Sequence, residues 1–359
     1  MKRGIAFILA GALAATGLLA GCSTTSYYWQ AFTGQMEVRR LSRPVEEVIA
    51  AAGTSAELRA RLEYARQARD FASQQLGLPD NGSYRVYADL KRNYVVWNVF
   101  AAPALSLELK TQCFPVAGCV TYRGYFSEDD ARAYADKLRA EGLDVYSGGV
   151  PAYSTLGYFN DPLLNTFIRY PELEIARLIF HELGHQVAYA KGDSTFNESF
   201  ATAVEEEGLK RWMVAHATPE QRTRYDQFTR RRDEFMAMMR RARDKLEGVY
   251  QQPGSEADKR AAKEAVFADL RREYEQLKLG WDGYKGYDAW IAKDLNNAKL
   301  GSISTYSKLV PAFNTLLARE HDDLPSFYAR VRQLAAMPKD ERDRELVALG
   351  APASTAVGN

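Results

Sequence analysis

Apolar positions recur at helical spacing through Val48, Leu58, Leu62, Ala65 and Ala68, which predicts helix within Pro44–Gln75. Beyond the Gly77–Gly82 turn cluster the pattern changes: Tyr84–Ala88 and Tyr94–Phe100 are β-branched and aromatic and read as strands. Val116–Phe126, broken by Gly118 and Gly124, reads as a strand pair or a bulged strand. Ser127 with Glu128, Asp129 and Asp130 has the signature of a helix N-terminus; Gly142 closes that helix, and Val145–Thr155 returns to the sheet. From Pro171 onward the chain is mostly helical. The pattern predicts a pair, Pro171–Lys191 and Ser194–His216, joined through Lys191, Gly192 and Asp193. Two long polar helices follow, over 219–248 and 255–279, and a final helical stretch runs from Leu295 to Leu346. Strands first and helices afterwards predict an α+β fold: one domain over 44–350, strand-bearing in 77–160.

A different pattern precedes all of this. Lys2 and Arg3 are followed by a charge-free run from Gly4 to Cys22, the layout of a secretory leader. Its apolar part, about 15 residues that end in small residues and a cysteine, falls short of the ~20 a membrane-spanning helix needs. Its end, Leu19-Ala20-Gly21-Cys22, resembles a bacterial lipobox. That resemblance implies cleavage before Cys22 and lipidation of its thiol, with several acyl chains as a stable anchor. Ser23 follows the cysteine, so the expected location is the outer membrane, facing the periplasm. Residues 22–43, rich in Ser, Thr and aromatics, read as the tether between lipid and domain.

Composition adds mainly exclusions. The 359 residues are 46% hydrophobic and 26% charged, with a formal net charge of +1, as for an ordinary folded protein. Loss of Lys2 and Arg3 with the leader leaves 45 basic against 46 acidic residues, so nothing electrostatic points to nucleic acid. Two further cysteines, Cys113 and Cys119, stand six apart, and in an oxidising compartment they read as a disulfide. So small a loop adds at most about 2 kcal/mol through the unfolded state, so its value is local shape.

The chemistry sits in His181-Glu182-Leu183-Gly184-His185. With four histidines and 46 acids in the chain, chance predicts under ~0.006 such pentapeptides. Histidines at i and i+4 project from one helix face and can share a metal, with Glu182 beside it as a proton acceptor. A catalytic zinc takes a third protein ligand. Glu198 is the candidate: His185 lies about five residues before the interhelical turn and Glu198 about four after it. At ~1.5 Å per residue both reach similar heights on antiparallel helices. Glu205, Glu206, Glu207 and His216 lie deeper on the second helix. Glu205 shares the face of Glu198 and could orient a ligating imidazole.

The set His181, His185 and Glu198 resembles the gluzincin branch of zinc metallopeptidases, though its Glu lies nearer the second His than in thermolysin-like members. More specifically, the chain resembles the predicted aminopeptidase family of bacterial lipoproteins. The residues that carry the likeness are Cys113–Phe126, Gly149–Leu164, the helix pair through Glu206 and Asn296–Leu317, with the lipobox. The resemblance implies a zincin-like fold, one Zn²⁺ per chain and removal of N-terminal residues from peptides. An endopeptidase acting on envelope proteins and a non-catalytic zinc-stabilised scaffold are the alternatives; the intact Glu182 speaks against the scaffold. Tyr306 is the expected electrophile for the oxyanion. Arg123 and His321 read as structural or surface residues, and Val116–Phe126 or Gly149–Phe159 as the edge along which a peptide would pair.

Overall fold

A computed structural model describes residues 25–114, 118–303 and 309–350. The leader, Cys22 and Tyr306 lie outside the described residues. The first difference from expectation comes at once. The stretch read as tether is helical over 25–41 (α1). Its apolar inner face explains this. Val38 is buried in the main core, Gly34 abuts the Phe126 ring so closely that a Cβ would collide with it, and Tyr27 packs on Phe114 and Tyr125.

Two short helices' worth of sequence, α2 (Val45–Ala50) and α3 (Ala56–Gln74), follow. Ser55 caps α3 by accepting from the Leu58 N–H, and Leu62, Ala65, Ala68 and Ala72 form its buried stripe. Among the described residues the strands make three small sheets. β1 (Arg43–Pro44), β2 (Val86–Ala88) and β8 (Leu163–Leu164) form one. β6 (Arg123–Tyr125), β3 (Val96–Ala102) and β7 (Asp144–Val150) form an antiparallel second, with β3 central and Trp97 opposite Tyr125 and Gly149. β4 (Gln112–Phe114) and β5 (Gly118–Val120) make a hairpin in which Cys113 faces Cys119, and these two form the disulfide. Helix α4 (Glu128–Ala140), capped by Ser127, lays Ala131, Ala135 and Leu138 on Val99, Ala101 and Val145 of the second sheet.

The helical half begins with α5 (Glu172–Gly184) and α6 (Ser194–His216). The first of the pair is shorter than the pattern predicts: it ends at Gly184, not Lys191, because residues 185–193 are taken up by a turn held by side chains. α7 (Pro219–Gln251) and α8 (Glu256–Leu279) form a long hairpin with its own core of Phe235, Met238, Leu246, Phe267, Leu270 and the fully buried Trp281. α9 (Asp288–Ala292) precedes the last stretch, in which the described residues form four helices: α10 (Asn297–Ile303), α11 (Val310–Arg319), α12 (Leu324–Ala336) and α13 (Lys339–Ala348). Phe313, Phe327, Tyr328 and Leu334 of these join α3, α5 and α6 in the main core. Each such side chain contributes about 1.5–3 kcal/mol by leaving water.

Candidate metal centre

α5 starts at Pro171, which fixes the entry angle, with Glu172 and Glu174 facing the positive end of the helix. Ile175, Ile179, Phe180 and Leu183 are fully buried on one side. The remaining face carries His181 and Glu182, and His185 sits in the position just past the last helical residue. His185 keeps helical angles (φ −59°, ψ −23°), and its N–H still donates to the His181 carbonyl at 3.3 Å. The two imidazoles therefore stay one turn apart, with ring centres 4.9 Å apart and planes nearly perpendicular.

Gly184 decides how near the second helix comes. A Cβ there would lie 3.3 Å from the Ala201 Cα, so the missing side chain permits the close approach of α6. The turn between the helices is fastened by Asn197, which accepts from the Ala190 N–H at 2.7 Å and donates to the Ala190 carbonyl at 2.9 Å. Asp193 caps α6 through the Phe196 N–H, and Arg342 of α13 donates to its carboxylate at 2.7 Å. Glu198, the residue after Asn197, is thereby aimed at the histidines. Its Oε2 lies 3.4 Å from His181 Nε2 and 3.6 Å from His185 Nε2, and one donor atom from each residue falls within 4.8 Å of the others.

Those spacings test the fit of a metal. Ligands ~2.0–2.1 Å from a tetrahedral zinc stand ~3.3 Å from one another. The donor set is the two-imidazole, one-carboxylate type that suits zinc. The surrounding charge agrees: Glu182, Glu198 and Glu205 bring three carboxylates to the two imidazoles, and Arg177 pairs with Glu205. Burial works against charge on His181, but Glu198 and Glu205 outweigh it and push its pKa up to about 10. Burial pushes Glu198 upward, yet His185 and His181 hold it well below the usual carboxylate range. The protein has thus built a buried spot that favours positive charge.

Behind the histidines stands a relay of charged groups. His181 Nδ1 lies 2.8 Å from Glu205 Oε2, and Arg177 donates to Glu205 Oε1 at 2.8 Å and to Glu174 at 2.9 Å. Glu205 is 3% exposed; burial raises its pKa, but Arg177 and His181 bring it down to about 2. This contact fixes which nitrogen of His181 faces Glu198. The other acids and histidine of α6 are engaged elsewhere: Glu206 with Arg232, Glu207 with Arg211, and His216 stacked on Trp212 at 3.9 Å.

The centre opens on a cavity of about 500 Å³ that also takes in Glu182, Val150 at the end of β7, Tyr122 and Tyr189. A second cavity of about 520 Å³, bordered by Arg232 and Glu206, shares His181, Glu182, Val150 and Ala152 with the first. β7 is an edge of its sheet, covered near Val145 by Asn296, and its Val150 end reaches the cavity of the histidines; it belongs to the second of the two edges expected from sequence only at Gly149 and Val150. Burial is the main cause that raises the Glu182 pKa, with Glu198 and Glu205 adding to it against both histidines. Tyr122 and Tyr189 are held protonated by burial and by the nearby Glu198. Neither was expected from sequence: Tyr122 reaches the cavity only through pairing of distant strands, and Tyr189 only because α5 ends early. Arg123 is committed to the aromatic packing, its guanidinium 4.0 Å from the Tyr27 ring centre. His321, at φ 57°, lies in the turn after α11.

None of the curated proteins and none of the solved structures matches the chain. A family model does: the one described as "Putative aminopeptidase" matches residues 26–346, and the chain belongs to that family.

Proposed function

From that membership, we propose that the protein is a zinc-dependent peptidase of the bacterial envelope, anchored by lipid at Cys22, that removes N-terminal residues from peptides. The observation that carries this reading is the convergence of His181, His185 and Glu198 at metal-ligand spacing beside Glu182, at the wall of a cavity. Those three residues would hold the ion. When bound, zinc supplies Lewis acidity toward water and toward the scissile carbonyl.

Glu182 does the proton work. Its carboxylate accepts a proton from the attacking water and returns it to the departing amine, and its raised pKa suits both halves of that task. Glu205 and Arg177 hold His181 in one tautomer. The phenols of Tyr122 and Tyr189, protonated at neutral pH, offer hydrogen bonds to the developing oxyanion, a role open also to Tyr306. The edge offered by β7 suits an extended peptide.

The test combines metal analysis with a panel of aminoacyl and internally quenched peptides. The expected outcome is one zinc per chain and cleavage of free but not blocked N-termini. Cleavage of both makes the enzyme an endopeptidase; zinc without turnover of any peptide makes it a scaffold.

A further inference from the structure

α1 has two faces that do opposite things. Inward, Tyr27, Ala31 and Gln35 border the cavity of the metal centre. Outward, Tyr28, Trp29 and Phe32 are 42%, 65% and 56% exposed, and Arg39 and Arg40 are exposed two turns further on. An amphipathic helix buries its large aromatics; this one displays them. A second segment meets the margin between these two faces, at Arg39. Tyr158 and Phe159, 73% and 39% exposed, share a surface groove with Gln35, Val38 and Arg39 of α1. Five of the seven exposed large aromatics among the described residues thus lie on α1 or the corner beside it. That corner is fixed: Asp161, 2% exposed, accepts from the Thr155 N–H at 3.0 Å and hydroxyl at 2.7 Å, and Phe159 N–H donates to Thr155. The aromatics are held outward by structure.

Where the chain comes from identifies what covers them. α1 is described from residue 25, three residues after Cys22, so the Cα of residue 25 lies within about 11 Å of that of Cys22 however the link runs. The polar-tipped rings of Tyr28, Trp29 and Tyr158 beside the wholly apolar Phe32 and Phe159, followed by arginines, match the depth profile of a headgroup layer: aromatics at the acyl boundary, guanidinium groups at the phosphates. Among the described residues no helix is long and apolar enough to cross a membrane. We infer that the outward face of α1, with the Tyr158–Phe159 corner, docks into the headgroup region of the bilayer that holds the lipid anchor. The cavity lined by the opposite face of α1 is then held at the membrane surface, which selects peptides emerging close to it. The inference rests on the reading of Cys22 as lipidated.

The experiment uses the full chain, produced with its leader, purified from membranes and reconstituted into phosphatidylethanolamine–phosphatidylglycerol vesicles with brominated acyl chains. Tryptophan emission is compared with that in unbrominated vesicles, for the native chain and W29F. Intact mass reports the lipid on Cys22 separately. Trp29 is far the most exposed indole, and Trp212 and Trp281 are wholly buried. The inference expects bromine quenching that W29F abolishes. Lipidated protein whose emission is equally unaffected in both chains overturns the docking and leaves the anchor standing. Cross-linking of Trp29 faces between two copies, with no quenching, overturns it in favour of a dimer. Absence of lipid mass removes the premise at Cys22 and overturns the inference with it.

Discussion

Two antiparallel helix pairs make up much of this protein, and they spend their charges differently. In α7–α8, Arg, Lys and Glu are dense, and pairs such as Arg241–Glu273, with Nε–Oε1 at 3.1 Å, stand half exposed around an apolar core. In α5–α6 charges are fewer, but Glu205, Asp193 and His185 are buried, and each has a defined partner or companion. Charge density along the sequence therefore does not mark the chemistry here. Nor does buried charge by itself, since Lys263 of α8 is buried against Asp144 at 2.6 Å; what sets α5–α6 apart is that its acids and histidines converge on one cavity, and a buried ionised group is tolerated only when its partners are fixed.

The sharpest way to break the comparison is Asp193→Asn. Asparagine still caps α6, so the substitution removes charge and leaves Arg342 buried without its partner. A loss of about 3 kcal/mol in urea unfolding at pH 7 is expected. Burial pushes the Asp193 pKa up, but Arg342 and Lys339 outweigh it and hold it below the usual value. A depressed folded pKa stabilises above the unfolded value of ~3.9 and loses that contribution as pH falls through the folded one. The gap between native chain and variant should therefore be constant near neutrality and narrow below about pH 4. A gap that stays the same at pH 3 would mean that the pair is not the cause.

Glu205→Gln comes next. It keeps the shape but weakens the hold on His181, and zinc competition with a chelator should show a Kd raised about 10–100-fold. An unchanged Kd would reduce Glu205 to an ordinary buried acid. The smallest effect is expected from Arg241→Ala in the other pair: under about 1 kcal/mol by urea unfolding, with metal binding and turnover untouched. A larger loss would erase the contrast between the pairs.

The legible part of the protein was what local rules control. The i, i+4 histidines, the acid four residues into the next helix and the strand-then-helix order follow from periodicity and spacing. The Cys113–Cys119 disulfide was readable from short separation together with the expected oxidising compartment. What stayed hidden depends on contacts between distant segments. α1 looked like tether because its Ser, Thr and aromatic composition hides a stripe that only Phe126 and Tyr153 make sense of; Tyr153 donates to Gln35 across the cavity wall. The end of α5 was misjudged because the stop signal is Asn197, twelve residues beyond His185, gripping Ala190 from the following helix. Arg177 carried no motif, and its place between Glu174 and Glu205 exists only once α6 packs on α5.

The central claim is that Glu182 performs proton transfer at a zinc held by its three neighbours. Glu182→Gln tests it most directly, by zinc content and peptide turnover on one preparation. The account predicts one zinc per chain, as in the native protein, and turnover lowered by about 10²–10⁴-fold. Zinc retained with turnover undiminished would contradict it.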